Sequence, residues 1–208
     1  MYFKDRIDAA NKLKIALEKY KNKDVVVLAL LRGGIIIADI IATYLNAKLD
    51  IIICKKLSSP DSSELAIGSI CSNEVYLNED LIKNLNINKD YIEKEIERKK
   101  NECITKEKLY RNYNQIDITN KTIILVDDGI ATGSTIISAI NALKNKAKKI
   151  VIASPVTSIE ASKKIKQLVD DFICLNIPSD FFSISEFYED FEQIDDCKVT
   201  EILKNHFK

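Results

Sequence analysis

Val25–Leu30 is a continuous apolar run, the pattern expected of a parallel strand covered on both faces. Shorter apolar runs predict further strands at Asp50–Cys54, Thr122–Val126, Ile150–Ser154 and Phe172–Leu175. Helical spacing separates them. Ala9, Leu13, Ala16, Leu17 and Tyr20 predict an amphipathic first helix, and Ile37, Ile40, Ile41, Tyr44 and Leu45 a second. Further helices are expected over Ser134–Lys146, over Ser158–Val169 and from about Thr200. Between the second and third strands the pattern changes. Lys55–Ser63 is polar, Leu65–Leu77 reads as a hairpin turning at Ser72-Asn73, and a charged helix runs from Asn88, its expected N-cap, to about Asn112. Its Lys and Glu residues are read as a solvated face. Strands alternating with helices predict an α/β fold: a three-layer, open, mostly parallel sheet with right-handed crossovers. The whole chain, 1–208, reads as a single domain with an insertion over about 56–114 and a tail over about 178–208.

Composition narrows the function classes. Lys plus Arg and Asp plus Glu both number 31, so the formal net charge is zero, without the basic excess of a nucleic-acid binder. Val25–Leu45 is long enough to cross a bilayer, but Arg32 and Asp39 lie inside it, each costing roughly 2.5–3.5 kcal/mol near the middle of a spanning helix. Gly33-Gly34 would break such a helix, so strand, turn and helix explain the stretch better. The start, MYFKDRIDAANKLK, is charged and amphipathic rather than a signal peptide. The five cysteines include no C-x-x-C pair, and reduced structural thiols in the cytoplasm are expected.

The chemistry concentrates in residues 123–135, IILVDDGIATGST. An apolar strand emptying into a polar loop before a helix puts that loop at the carboxyl edge of the sheet, where open α/β proteins bind ligands. The helix start offers unpaired N–H groups and a positive dipole end to a phosphate. Gly133 lets an anion approach the backbone, and Thr132, Ser134 and Thr135 add hydroxyls. Asp127 and Asp128 repel a phosphate and so must serve another part of the ligand. A ribose diol offers two adjacent donors, and bonds to a carboxylate contribute roughly 1.5–3 kcal/mol each. Together these groups describe a ribose 5-phosphate site. A Walker B reading fails for want of a G-x-x-x-x-G-K-[ST] loop, and a dinucleotide reading for want of G-x-G-x-x-G.

The segment closely resembles the diphosphate-sugar signature of type I phosphoribosyltransferases, and LLRGG at 30–34 resembles their pyrophosphate loop. Phe3, Asp5, Arg6 and Ala9, then Glu64, Ala66 and Gly68, then Phe187, Tyr188, Asp190 and Phe191, resemble segments of a bacterial and archaeal subgroup of that family. The resemblance implies neighbouring strands at Val25–Leu30 and Thr122–Val126, a sugar-phosphate site at Asp127–Gly129 and Ala131–Thr135, and a pyrophosphate site at Leu31, Arg32, Gly33 and Gly34. Lys55 and Lys56 are further pyrophosphate candidates. Asp127, Asp128 and Arg32 are the expected catalytic residues. The resemblance further implies Mg2+, carried mainly by the ligand near Asp127 and Asp128, and a homodimer. Expected substrates are 5-phosphoribosyl 1-diphosphate and a small nitrogenous base, with region 56–76 as closing loop and the tail as a hood over the base.

One position departs from the hypoxanthine–guanine branch. Where those enzymes carry a purine-facing aspartate, this chain has Ala131, which disfavours a 6-oxopurine. In the tail, Phe181, Phe182 and Tyr188 are candidates either to stack on a base or to anchor the tail. The alternative function is a non-catalytic module that senses 5-phosphoribosyl 1-diphosphate or a nucleotide.

Overall fold

Every residue of the first strand, β1 (Val25–Leu30), is buried, and its side chains divide between two cores. The computed structural model describes residues 1–71, 74–110 and 115–207, without the side chains of Ser63 and Glu64. Asp5 caps the first helix, α1 (Arg6–Ala16), by accepting a bond from the Asp8 N–H. After β1 come α2 (Ile35–Leu45) and β2 (Lys48–Ile52). The middle of the chain forms β3 (Cys54–Ser59), β4 (Ser62–Cys71), β5 (Glu74–Leu77), the short α3 (Glu79–Asn84) and α4 (Lys89–Tyr110). The alternation then resumes with β6 (Thr122–Val126), α5 (Ser134–Leu143), β7 (Lys149–Val156), α6 (Ile159–Lys166) and β8 (Asp171–Asn176). A single turn of 3-10 helix at Ile184–Phe187 precedes α7 (Asp196–His206).

The main sheet has the order β2-β1-β6-β7-β8, all parallel. Successive side chains point to opposite faces. Val25, Val27, Ala29, Ile124, Val126 and Val151 therefore pack under α1, α2 and α7. Val26, Leu28, Leu30, Ile123, Leu125 and Ile152 pack under α5 and α6 with Ile136, Ile140 and Ile165. This is the expected three-layer α/β fold, and β1 and β6 are neighbours as the resemblance implied. Val25–Leu45 resolves into strand, turn and helix, and no helix among the described residues is long and apolar enough to cross a membrane.

The middle segment departs from expectation. The hairpin expected over Leu65–Leu77 is present as the β4–β5 pair, but most of Lys55–Ser63, read as a loop, is strand: β3, β4 and β5 make a second, antiparallel sheet. The expected turn, Ser72-Asn73, lies outside the described residues, as does Asn112. The polar run concealed a strand because only alternate residues of this smaller sheet are covered: Leu57 and Ser59 are buried while Lys56 is exposed. Three helix limits also shift, α5 ending at Leu143, α6 ending at Lys166 and α7 beginning at Asp196. Here Ser158 and Asp195 supply side-chain caps, accepting from the N–H groups of Ala161 and Lys198.

The thiol expectation is corrected as well. Cys54 and Cys71 face each other across β3 and β4 and are joined as a disulfide; Cys103, Cys174 and Cys197 are free. A directly opposed antiparallel pair supplies a proximity that spacing along the chain does not reveal. Thiol titration of the unfolded, unreduced protein is therefore expected to find the three free cysteines only. A count matching all five would restore the reduced reading.

Candidate functional site

At the carboxyl ends of β1 and β6 the chain leaves in diverging directions, which opens a crevice between the following loops. Leu30–Gly34 turns tightly: Gly34 N–H donates to Leu30 O at 3.1 Å, Ile35 N–H to Arg32 O at 3.3 Å, and Leu31 N–H reaches Ile52 O on β2 at 3.4 Å. The Leu31–Arg32 peptide is cis. Both glycines are required by close approach. A Cβ on Gly34 would lie 2.3 Å from Val126 O, and one on Gly33 would lie 2.3 Å from Asp128 Oδ2. The two loops singled out in the sequence are thus in direct contact.

Asp127 follows the last residue of β6, and its Oδ1 accepts the Asp128 N–H at 2.9 Å. Asp128 is 6% exposed. Arg6 of α1 donates to its Oδ2 twice, from Nε at 2.9 Å and Nη2 at 2.8 Å. Tyr188 donates its hydroxyl to the Asp128 carbonyl at 2.6 Å. Burial, then the neighbouring Asp128 charge, hold the Asp127 carboxyl well above the ordinary carboxylate range. Burial also raises Asp128, against the opposing pull of Arg6.

On the far side of the loop, Gly133 adopts φ 77, a left-handed conformation that favours glycine, and α5 begins without a side-chain cap. The first N–H of that helix, on Ser134, donates to Thr132 Oγ1 over a long 3.4 Å. Thr132 Oγ1 and Ser134 Oγ lie 3.1 Å apart, both exposed. The loop is held from behind. Ile130 N–H donates to Val156 O, Ser158 N–H to Ile130 O, and Ser158 Oγ to Ala131 O at 2.6 Å. Gly129 sits against the tail, where a Cβ would lie 2.4 Å from Ile184 Cγ2.

Arg32, Gly33, Asp128 and Arg6 line one cavity of about 420 Å³, roofed by Ile184 and Phe191–Ile194. Arg32 is lightly held: its Nη1 is 3.5 Å from Asp196 Oδ1, and Tyr110 donates to the same oxygen. Lys55 and Lys56 do not line this cavity. Lys55 Nζ is 3.7 Å from Glu102 of α4, and Lys56 is exposed on β3.

The tail aromatics separate into anchors and one free ring. Tyr188 is buried against Phe3 and Phe191, and Phe181 packs on Phe187 at 5.4 Å between ring centroids. Phe182 is 86% exposed. Phe3 pairs by backbone with this tail: its N–H donates to Phe187 O and its carbonyl accepts from Glu189 N–H. Sequence reasoning assigned no role to Arg6 or Ile184. For Arg6 the signal was its place in the Phe3–Ala9 segment, but its partner is 122 residues away.

The phosphoribosyl transferase domain model matches residues 4–192. The chain belongs to that family. Two Mycobacterium tuberculosis proteins, provisionally named phosphoribosyl transferases, are 33% identical over 205 residues, 97% of this chain and 46% of theirs. The chain thus spans about half the length of these curated relatives. The crystal structure of TT1426 from Thermus thermophilus matches with a TM-score of 0.88 and 30% identity over 99% of both chains. A Staphylococcus aureus hypoxanthine phosphoribosyltransferase shares the fold at a TM-score of 0.50 and 12% identity, covering 85% of this chain and 74% of that one.

Within this phosphoribosyl transferase fold the acidic pair carries an electrostatic cost. A carboxyl raised in the folded state binds its proton more tightly there than in the unfolded chain. The folded state is then favoured below the ordinary value of 3.8 and loses that advantage as pH climbs to the elevated one. Asp127→Asn is therefore expected to be more stable than the native chain at about pH 7, with the gain vanishing towards about pH 4. Urea midpoints at the two pH values check this; a pH-independent difference would count against a raised Asp127.

Proposed function

We propose that the protein transfers the phosphoribosyl group of 5-phosphoribosyl 1-diphosphate to a nitrogenous base, releasing pyrophosphate. The observation that carries this reading is the contact of Gly33 with the Asp128 carboxylate and of Gly34 with the Asp127 backbone, beside a helix start whose N-cap is a glycine. One ligand with phosphate at one end, a diol in the middle and diphosphate at the other matches that order of groups.

In this reading the α5 N–H groups and the hydroxyls of Thr132, Ser134 and Thr135 hold the 5-phosphate. Asp127 and Asp128 accept the ribose hydroxyls. A ring nitrogen of the base forms a bond to the anomeric carbon as the bond from that carbon to the pyrophosphate oxygen breaks, leaving pyrophosphate with the bonding pair, while the nitrogen's proton passes to solvent. Positive charge gathers on the sugar during this exchange, and the carboxylates lie on that side of the site. Arg32 and the N–H groups of Gly33 and Gly34 receive the departing negative charge, Arg32 exchanging its loose Asp196 contact for the diphosphate.

The residues also suit Mg2+ carried by the ligand. Among the described residues no group of three or more His, Cys, Asp or Glu side chains could hold a metal by itself. A magnesium ion keeps several waters and binds through one or two carboxylates plus substrate phosphates, and Asp127 and Asp128 supply that number. When bound, it would neutralise diphosphate charge. At the acceptor, Ala131 provides no carboxylate for a purine, which supports a base other than a 6-oxopurine.

The test is pyrophosphate release with magnesium, 5-phosphoribosyl 1-diphosphate and a panel of bases. Release is expected with a base outside the 6-oxopurines; release with hypoxanthine or guanine alone would overturn the reading of Ala131. Tight donor binding without release from any base would favour the sensing module. Arg32→Ala is expected to weaken pyrophosphate binding by about tenfold or more, as for loss of a charge-assisted contact. Stability should hardly change, because an exposed ion pair of this kind contributes about 0–1 kcal/mol.

A further inference from the structure

Arg6 lies outside both ligand loops, in the first turn of α1, yet it is 8% exposed and meets two segments at the site, the loop after β6 and the tail. Nε and Nη2 both donate to Asp128 Oδ2. Nη1 donates to Glu192 O at 2.7 Å. Its Cζ stands 3.8 Å from the centre of the Phe191 ring. The planar fork is thus held along two edges and one face, which leaves the guanidinium little freedom to turn.

This arrangement controls the orientation of Asp128. Its Oδ2 is committed to Arg6 and lies where a Cβ on residue 33 would clash, so the carboxylate is wedged between the guanidinium and the Gly33 backbone. A ligand hydroxyl then meets the other oxygen, Oδ1, at an angle set by Arg6. Without that partner, Asp128 would lose both donors that fix its Oδ2, and the carboxylate would be free to turn. The same guanidinium fastens Phe191 and Glu192, which roof the cavity beside Asp128.

Building on the reading that Asp127 and Asp128 receive a ribose diol, we propose that Arg6 is a positioning residue for the sugar subsite. It fixes Asp128 for the ribose hydroxyls and ties the tail roof to that subsite, giving preference for ribose over 2-deoxyribose. It does not touch the diphosphate end.

Calorimetric binding of ribose 5-phosphate, 2-deoxyribose 5-phosphate and inorganic pyrophosphate to the full chain tests this. The native protein is expected to prefer ribose 5-phosphate by about tenfold or more, as for one charge-assisted hydrogen bond. Arg6→Lys keeps a charge but loses the fork. It should bind ribose 5-phosphate about tenfold more weakly and lose most of the preference, with pyrophosphate affinity unchanged within about twofold. Phe191→Leu, which removes the stacked face and leaves both charges in place, should shift ribose 5-phosphate in the same direction by less. It also serves as the readout if Arg6→Lys does not fold. Retained affinity and preference in the folded variants would overturn the proposal. So would a parallel loss of sugar phosphate and pyrophosphate binding, which marks a general structural role. A native protein that binds neither sugar phosphate would instead overturn the ribose 5-phosphate reading of the site.

Discussion

Parallel hydrogen bonding between β1 and β6 brings together two loops almost a hundred residues apart in sequence. The pairing runs from Val25 against Thr122 to Ala29 against Val126, so β1 ends only one residue beyond β6. Gly34 can then lie against Val126 O and Gly33 against the Asp128 carboxylate. A slip of one residue would exchange the two faces of β1, moving Val25, Val27 and Ala29 from one core to the other. The apolar covering of both faces therefore enforces the register, and the register aligns the loops. Packing that stabilises the sheet is also what assembles the crevice.

The crevice itself runs against stability. Two adjacent carboxylates, one of them buried, are an unfavourable feature, tolerable where a ligand supplies the missing partners. Asp128 is partly compensated by Arg6, while Asp127 is held by one backbone N–H and remains the more strongly perturbed of the two. Arg32 shows the opposite character, half-buried and loosely paired. The division is coherent for a sugar-diphosphate site. In the proposed function a sugar would meet the carboxylate held by Arg6, and a diphosphate would meet a cation whose present partner is easily given up.

The tail is part of this arrangement. It enters a backbone pairing with Phe3, caps the Asp128 carbonyl through Tyr188, and presses Ile184 onto Gly129. Chain segments from the two ends of the molecule thus converge on two residues of the central strand's loop. Tyr188 is spent on anchoring, and Phe182 is the most exposed aromatic ring among the described residues of the tail.

Local pattern was sufficient for the main sheet, because strands covered on both faces must be continuously apolar and their flanking helices must show a stripe. It failed over Lys55–Ser63, where strands covered on alternate residues look like a polar loop, and at Cys54 and Cys71, whose pairing needs their positions across β3 and β4. The candidate ligand groups Asp127, Asp128, Thr132–Thr135 and Arg32–Gly34 were legible because each works through its own short stretch of backbone. The sequence by itself determined the α/β architecture and the chemistry of those two loops. Only the tertiary structure decided that Arg6 commits Asp128, that Asp196 holds Arg32 and that Lys55 turns to Glu102. These are ion pairs between segments distant along the chain, and a charged side chain does not declare its partner until the fold has removed the alternatives.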